Sequence, residues 1–168
     1  MNRTPEPLFP SYVREGRSRK RFKSGFVNSR GETVIPPVYD HARPFRNGRA
    51  SVKLDGKWGV INESGDLVIQ PRFGSPLEFT EGLSRFWSGS QNGVVDLNGD
   101  VVIEPRYQFV SHFSGGLACV QLGDLYGFIN KAGEAIAPIH FDEARAFSEG
   151  LASVRTTGRW GYIGTMED

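Results

Sequence analysis

Apolar residues run along this chain in two rhythms. In the first they continue without a polar break: Val60-Ile61 and then Leu67-Val68-Ile69, followed further on by Val94-Val95 and then Val101-Val102-Ile103. β-Branched runs of this length predict strands covered on both faces, so a hairpin made of them should pack between neighbouring units. In the second rhythm, small or apolar residues alternate with polar ones, as in Arg49-Ala50-Ser51-Val52-Lys53 and Leu151-Ala152-Ser153-Val154-Arg155. Period two predicts a strand with one face packed and the other in water. Each unit then reads as a short antiparallel meander, a hairpin plus a third strand, such as residues 49–70. A punctuated connection such as Pro71 to Glu81 would link the units, its proline ending the preceding strand because it cannot donate to a ladder.

The rhythms recur with a fixed step. Gly25, Gly59, Gly93, Gly127 and Gly161 are 34 residues apart, as are Gly31, Gly65, Gly99 and Gly133. Gly48, Gly82, Gly116 and Gly150 keep the same spacing, and so do Phe45, Phe79, Phe113 and Phe147 and the aromatics Tyr39, Phe73, Tyr107 and Phe141. Asn28, Asn62, Asp96 and Asn130 stand three residues before the second glycine series. An Asx side chain bonds nearby amides at the first position of a type I turn, and a left-handed glycine closes the hairpin with a bulge. The expected fold is therefore all-β, with full repeats at 24–57, 58–91, 92–125 and 126–159 and a partial fifth at 160–168. Stacked units could form an open solenoid, the preferred arrangement, or close as a small propeller-like ring.

Composition agrees with many turns around an aromatic core. The chain holds 21 glycines among 168 residues, about twice the usual share, with 12 Phe, 5 Tyr and 3 Trp to fill a core. A single cysteine, Cys119, excludes an intramolecular disulfide framework and fits a reducing compartment. No apolar run approaches the roughly 20 residues that span a bilayer, and no apolar segment follows the basic N-terminus. A cytoplasmic protein with no membrane partner is the expectation. The net charge of +1 hides an asymmetry: residues 1–23 carry +5 and the remainder carries −4. Residues 1–23 thus read as a basic, flexible tail before a mildly acidic repeat domain, 24–168.

The candidate chemistry is that of binding. Histidines at 41, 112 and 140 have no partner at metal-ligand spacing, and Cys119 shares its column with Ser51, Arg85 and Ser153. No catalytic residue, metal or cofactor is therefore expected. The second repeat departs from its neighbours: Ser84-Arg85-Phe86-Trp87-Ser88 replaces the usual alternating strand, and Asn92 occupies a column held by Trp58, Tyr126 and Trp160. By register Phe86 takes a buried place and Trp87 points outward beside Arg85, as hot-spot residues do. The bland alternative is that Trp87 covers the spot left by the missing tryptophan at 92. Arg72, Arg106 and His140 form a basic column that could line an anion groove or be a solvated stripe. Glu32, Asp66, Asp100 and Glu134 form an acidic one at the hairpin tips, expected to be solvated. His112 is a lesser candidate for a contact. The tail residues Arg17, Arg19, Lys20, Arg21 and Lys23, with aromatics nearby, suit nucleic acid or a docking arm on the acidic body.

Lys57-Trp58-Gly59-Val60-Ile61-Asn62 and Arg159-Trp160-Gly161-Tyr162-Ile163 resemble the signature of WG repeats. Pro71-Arg72-Phe73 and Phe147-Ser148-Glu149-Gly150-Leu151-Ala152 match further elements of that family, and the likeness covers about residues 24–164. The resemblance implies a β-rich interaction module without a shared catalytic residue, and a bacterial or phage source. Another protein is the leading partner expected, with nucleic acid or a nucleotide as the alternative and a cryptic enzyme third. The oligomeric state is not legible.

Overall fold

The structure is a computed structural model that describes residues 6–14 and 22–164. Every regular element among them is a strand, and the strands form five small antiparallel sheets, each open at its edges. Among the described residues no helix is long and apolar enough to cross a membrane. Packing divides the chain into two units, Met1–Leu77 and Glu78–Asp168.

The first unit holds two sheets. One is β1 (Phe9–Arg14), β2 (Phe22–Val27) and β3 (Thr33–Tyr39); the other is β4 (His41–Ala42), β5 (Arg49–Leu54), β6 (Lys57–Asn62) and β7 (Leu67–Phe73). Phe26, Ile35, Tyr39, Ala42, Val52 and Ile61 form their shared core.

The second unit holds three. The first is β8 (Ser84–Ser88), β9 (Gln91–Val95) and β10 (Val101–Tyr107). Next come β11 (Phe109–Val110), β12 (Leu117–Leu122), β13 (Leu125–Asn130) and β14 (Ala135–Phe141). The last is β15 (Glu143–Ala144), β16 (Leu151–Thr156) and β17 (Arg159–Gly164). Strands β12 and β13 feed two cores at once. Ala118, Val120 and Ile129 pack with Val94 and Phe113, whereas Cys119 and Phe128 pack with Phe141 and Phe147. The β12–β13 hairpin therefore serves two neighbouring cores; of the hairpin predicted from unbroken apolar runs, β13 is covered on both faces and its return strand β14 is not.

The Asx-glycine loops form as read. The Gly65 amide donates to the Asn62 carbonyl at 3.0 Å, and Gly65 takes φ +87°. The Asn62 side-chain oxygen accepts from the amides of Ser64 and Asp66 at 3.0 and 2.9 Å. Asn62 Nδ2 then donates to the Asp66 carboxylate at 3.1 Å, and Asn28 and Asn130 do the same to Glu32 and Glu134. Most of the acidic column therefore braces its own turns. A second set of turns was not foreseen. Asp55 and Gly56 both take positive φ, 49° and 79°, and this two-residue reversal matches the twist of the strands it joins.

Five expectations need correction. The return strands do not stop at proline: β7 runs through Pro71 and β10 through Pro105. They are edge strands with register shifts, so a missing amide costs no ladder bond. Nor are they covered on both faces, since Val68, Val101 and Val102 are exposed; their aliphatic runs serve strand propensity on the outer face. The alternating strand β5 instead buries three consecutive residues, Ala50, Ser51 and Val52. Ser51 tolerates burial because its hydroxyl donates to the Leu77 carbonyl at 2.7 Å and accepts from the Leu77 amide at 3.0 Å. Finally, the connections contain short strands β4, β11 and β15, which give two of the sheets a fourth member. Part of the expected tail, Phe9–Arg14, is strand β1, paired with β2.

Candidate functional site

Strand register places the candidate residues in rows across each sheet. One row reads His41, Lys53, Trp58, Phe73, and another reads Phe109, Gln121, Tyr126, Phe141. The last sheet gives Glu143, Arg155, Trp160. In these three rows the polar residue stands on the alternating strand and the aromatic on its neighbour. In the third sheet the order is exchanged: Trp87 is paired with Asn92, which is paired with Tyr107.

The exchange changes what each residue does. Trp58 is 8% exposed, whereas Trp87 is 50% exposed. Asn92 is buried at 1%, and its Nδ2 donates to the Gln108 carbonyl at 2.9 Å. The aromatic slot is thus filled by an amide anchored to the backbone, which leaves Asn92 nothing to offer a partner. Phe86 is buried, as its register predicts. Arg85 is half-buried and donates from Nη1 to the Val110 carbonyl at 2.9 Å, so it fastens β8 to β11. What remains outward is Trp87 and the exposed reversal from Ser88 to Gln91. The next sheet adds Phe109, Leu122 and Leu125, each 39–45% exposed. Sequence reading missed Phe109 and Leu125 because each is a single apolar residue in a column that is polar elsewhere, and Leu122 because its column is mixed, with Leu54 beside Ser88 and Thr156.

The basic column is not an open row of cations. Arg72 lies over the ring of its neighbour Phe73 at 5.1 Å, and Arg106 lies over Tyr107 at 4.9 Å. Arg106 also donates to the Gly133 carbonyl at 3.2 Å. His140 stacks at 4.1 Å on Phe141, and its Nδ1 meets the Pro138 carbonyl at 2.9 Å. His112 is exposed in the connection after β11. Lys23 belongs to β2 and forms an ion pair with Asp40 at 2.9 Å. That hydrogen bond, outweighing burial, holds the Asp40 carboxyl below its ordinary pKa, with help from the Gly56 amide. Arg17, Arg19, Lys20 and Arg21 lie outside the described residues.

A further polar cluster was not read from sequence. The Glu81 carboxylate accepts from the amides of Gly115 and Gly116 at 2.7 and 2.9 Å and meets Lys131 at 3.1 Å. Burial pushes its pKa up, but the two amides and Lys131 outweigh this and hold it below the ordinary value. Burial also pushes the Cys119 thiol up to about 12. The sequence model of the WG containing repeat matches residues 25–58, 58–86, 93–126 and 126–160. No curated protein matches the chain.

Proposed function

We propose that this chain, which belongs to the WG containing repeat family, is a non-catalytic protein-recognition module that engages its partner through the β8–β9 hairpin at Trp87. One observation carries this reading. A tryptophan stands half-exposed in a column whose other members are Lys53, Gln121 and Arg155, while its buried counterpart has become Asn92. Aromatic anchors on rigid elements make hot spots, because they bring large area at little conformational cost. Trp87 stands on a strand, and Arg85 and Asn92 tie its hairpin to the next element.

Two features favour binding over catalysis. Cys119 is buried with its thiol pKa raised to about 12, far from the thiolate a nucleophile requires. Among the described residues, no three His, Cys, Asp or Glu side chains are grouped to hold a metal ion. Nucleic acid is the weaker reading, because Arg106 and His140 have backbone oxygens as partners.

The test is recovery of partners on the immobilised chain with and without Trp87→Lys, which restores the column's polar character. Recovery should fall while the melting temperature stays put, and it should depend weakly on salt. Unchanged recovery would dismiss the hairpin. A steep loss of binding between low and moderate salt would instead favour phosphate contacts.

A further inference from the structure

Between the first two sheets of the second unit, the apolar faces continue beyond the buried core. Val94, Ile103 and Tyr107 on one face of the β8–β10 sheet pack with Val110, Ala118, Val120 and Ile129 of the next sheet. Strand register carries both faces on toward their hairpin ends. On the first, Arg85 is opposite Val94 and Trp87 is opposite Asn92, so Trp87 stands on the packed face, one step nearer the reversal. On the second, Ala118, Val120 and Leu122 share a face by alternation, and Leu122 is opposite Leu125. Two hairpin ends thus border one gap, with Trp87 on one wall and Leu122 and Leu125 on the other. Val120 is 0% exposed, whereas Trp87, Leu122 and Leu125 are 50%, 45% and 40% exposed.

Gln108 ties the two walls together. Its carbonyl accepts from Asn92 Nδ2 at 2.9 Å, and its side-chain oxygen accepts from the Gly123 amide, between the two leucines, at 3.1 Å. The gap is therefore formed before any partner arrives, which lowers the cost of filling it. The following gap in the same unit has another character. There Gln121 and Tyr126 face Thr156 and Arg159, which hold the register positions of Leu122 and Leu125. Packing of two sheets thus does not require apolar residues at the hairpin ends.

We infer that this gap is a socket for one bulky aliphatic or aromatic side chain on a short segment of another protein, with a lysine or arginine next to it in that segment. The inference rests on the reading of Trp87 as an anchor and names what that anchor meets. Three half-exposed apolar residues match the surface of a single side chain, and they fall well short of the roughly 800 Å² per partner of a standard interface. The neighbouring charge follows from the rim. Across Ser88–Gln91 and Leu122–Leu125 the only ionised side chain is that of Asp124, which is exposed. A cation beside the inserted side chain meets that carboxylate, and an acidic residue is repelled by it.

The test uses the full 168-residue chain, isotope-labelled for NMR, and the end-blocked peptide Gly-Leu-Lys-Gly. Titration should shift the Trp87 indole N–H and the amides of Leu122 and Leu125 together, saturating in the millimolar range of a single-anchor ligand. Gly-Ser-Lys-Gly should not bind, and Gly-Leu-Glu-Gly should bind about threefold more weakly or worse. Leu122→Thr with Leu125→Arg, which copies the following gap, should weaken binding about tenfold or more. Its melting temperature should stay put, because both positions are exposed; if it falls, the peptide-side changes decide. No saturable shift at these residues, or equal binding of the serine or glutamate peptide, would overturn the inference. Parent-like binding by the double variant, with binding lost in Trp87→Lys, would overturn the socket and leave Trp87 as an anchor by itself. Binding that survives Trp87→Lys would overturn both readings.

Discussion

Gly59→Ala separates the glycine column's structural job from mere strand membership. Its Cβ would lie 2.5 Å from the Ile69 carbonyl oxygen and 2.8 Å from the Pro71 nitrogen. Comfortable non-bonded separations begin at about 3.5 Å, so β7 would have to retreat by roughly an ångström. Both obstructing atoms are backbone, and no rotamer change relieves them. Retreat strains the Trp58–Phe73 and Val60–Ile69 pairings that bury the second sheet's aromatic row. Overpacking costs about 1–3 kcal/mol, and backbone obstruction puts this site near the upper end. The unfolded chain returns about 0.4–1 kcal/mol, because alanine has fewer conformations to lose than glycine. The net loss is about 2 kcal/mol, and for a chain of this size it lowers the melting temperature by about 4–8 °C. Gly161→Ala is the internal control: nothing among the described residues lies within 4 Å, so only the gain applies and the melting temperature should rise slightly. Calorimetric melts of parent and both variants decide it. If Gly59→Ala melts with the parent, or the two variants shift alike, close crossing does not explain the column.

Asn92→Ala removes a buried amide and orphans the Gln108 carbonyl it serves; a loss of about 1–3 kcal/mol is expected in denaturant titration, whereas Trp87→Lys should stay within about 0.5 kcal/mol. Cys119 should resist a thiol-specific disulfide reagent at pH 8 and react only on unfolding, because its thiol is fully buried with a pKa raised to about 12; rapid native labelling would contradict that packing. Glu81 has a folded pKa below its ordinary 4.5, so the stability it contributes is present above that value and fades as pH falls through the folded value. The stability difference between the parent and Glu81→Gln should therefore shrink with acidification below pH 4.5; a difference that grows on acidification would reverse the assignment.

Local features were the legible ones. The Asx-glycine loops could be read because one residue type satisfies the nearby amides and another supplies positive φ, both within five positions. The Asp55-Gly56 reversal is equally local, since an Asp-Gly pair supplies both positive φ values that a two-residue hairpin turn needs. What could not be read is what depends on distant chain. Ser51 looks like a solvent-facing position until Leu77, 26 residues on, places its amide and carbonyl against the hydroxyl. Pro71 looks like a terminator until the sheet order makes β7 an edge. Arg85 and Asn92 look like one surface patch with Trp87, yet carbonyls at Val110 and Gln108 turn both inward. Neither carbonyl has a sequence signature, since every residue carries one.

The Trp87–Asn92 exchange has an energy that links fold to recognition. Had the aromatic kept the position of Trp58, its exposure would be 8% rather than 50%. Applied to the roughly 250 Å² of a tryptophan, that difference is about 100 Å². At about 25 cal/mol per Å², roughly 2.5 kcal/mol of burial goes uncollected in the free chain. The sheet withstands this because Asn92 is itself buried in the slot and satisfies its amide on Gln108. A partner covering Trp87 would recover that burial, and 2 kcal/mol is the scale at which one residue counts as a hot spot. A repeat that buries an aromatic at this register can therefore carry it on the neighbouring outward column instead at bearable cost, provided the vacated place takes a residue with its own backbone anchor.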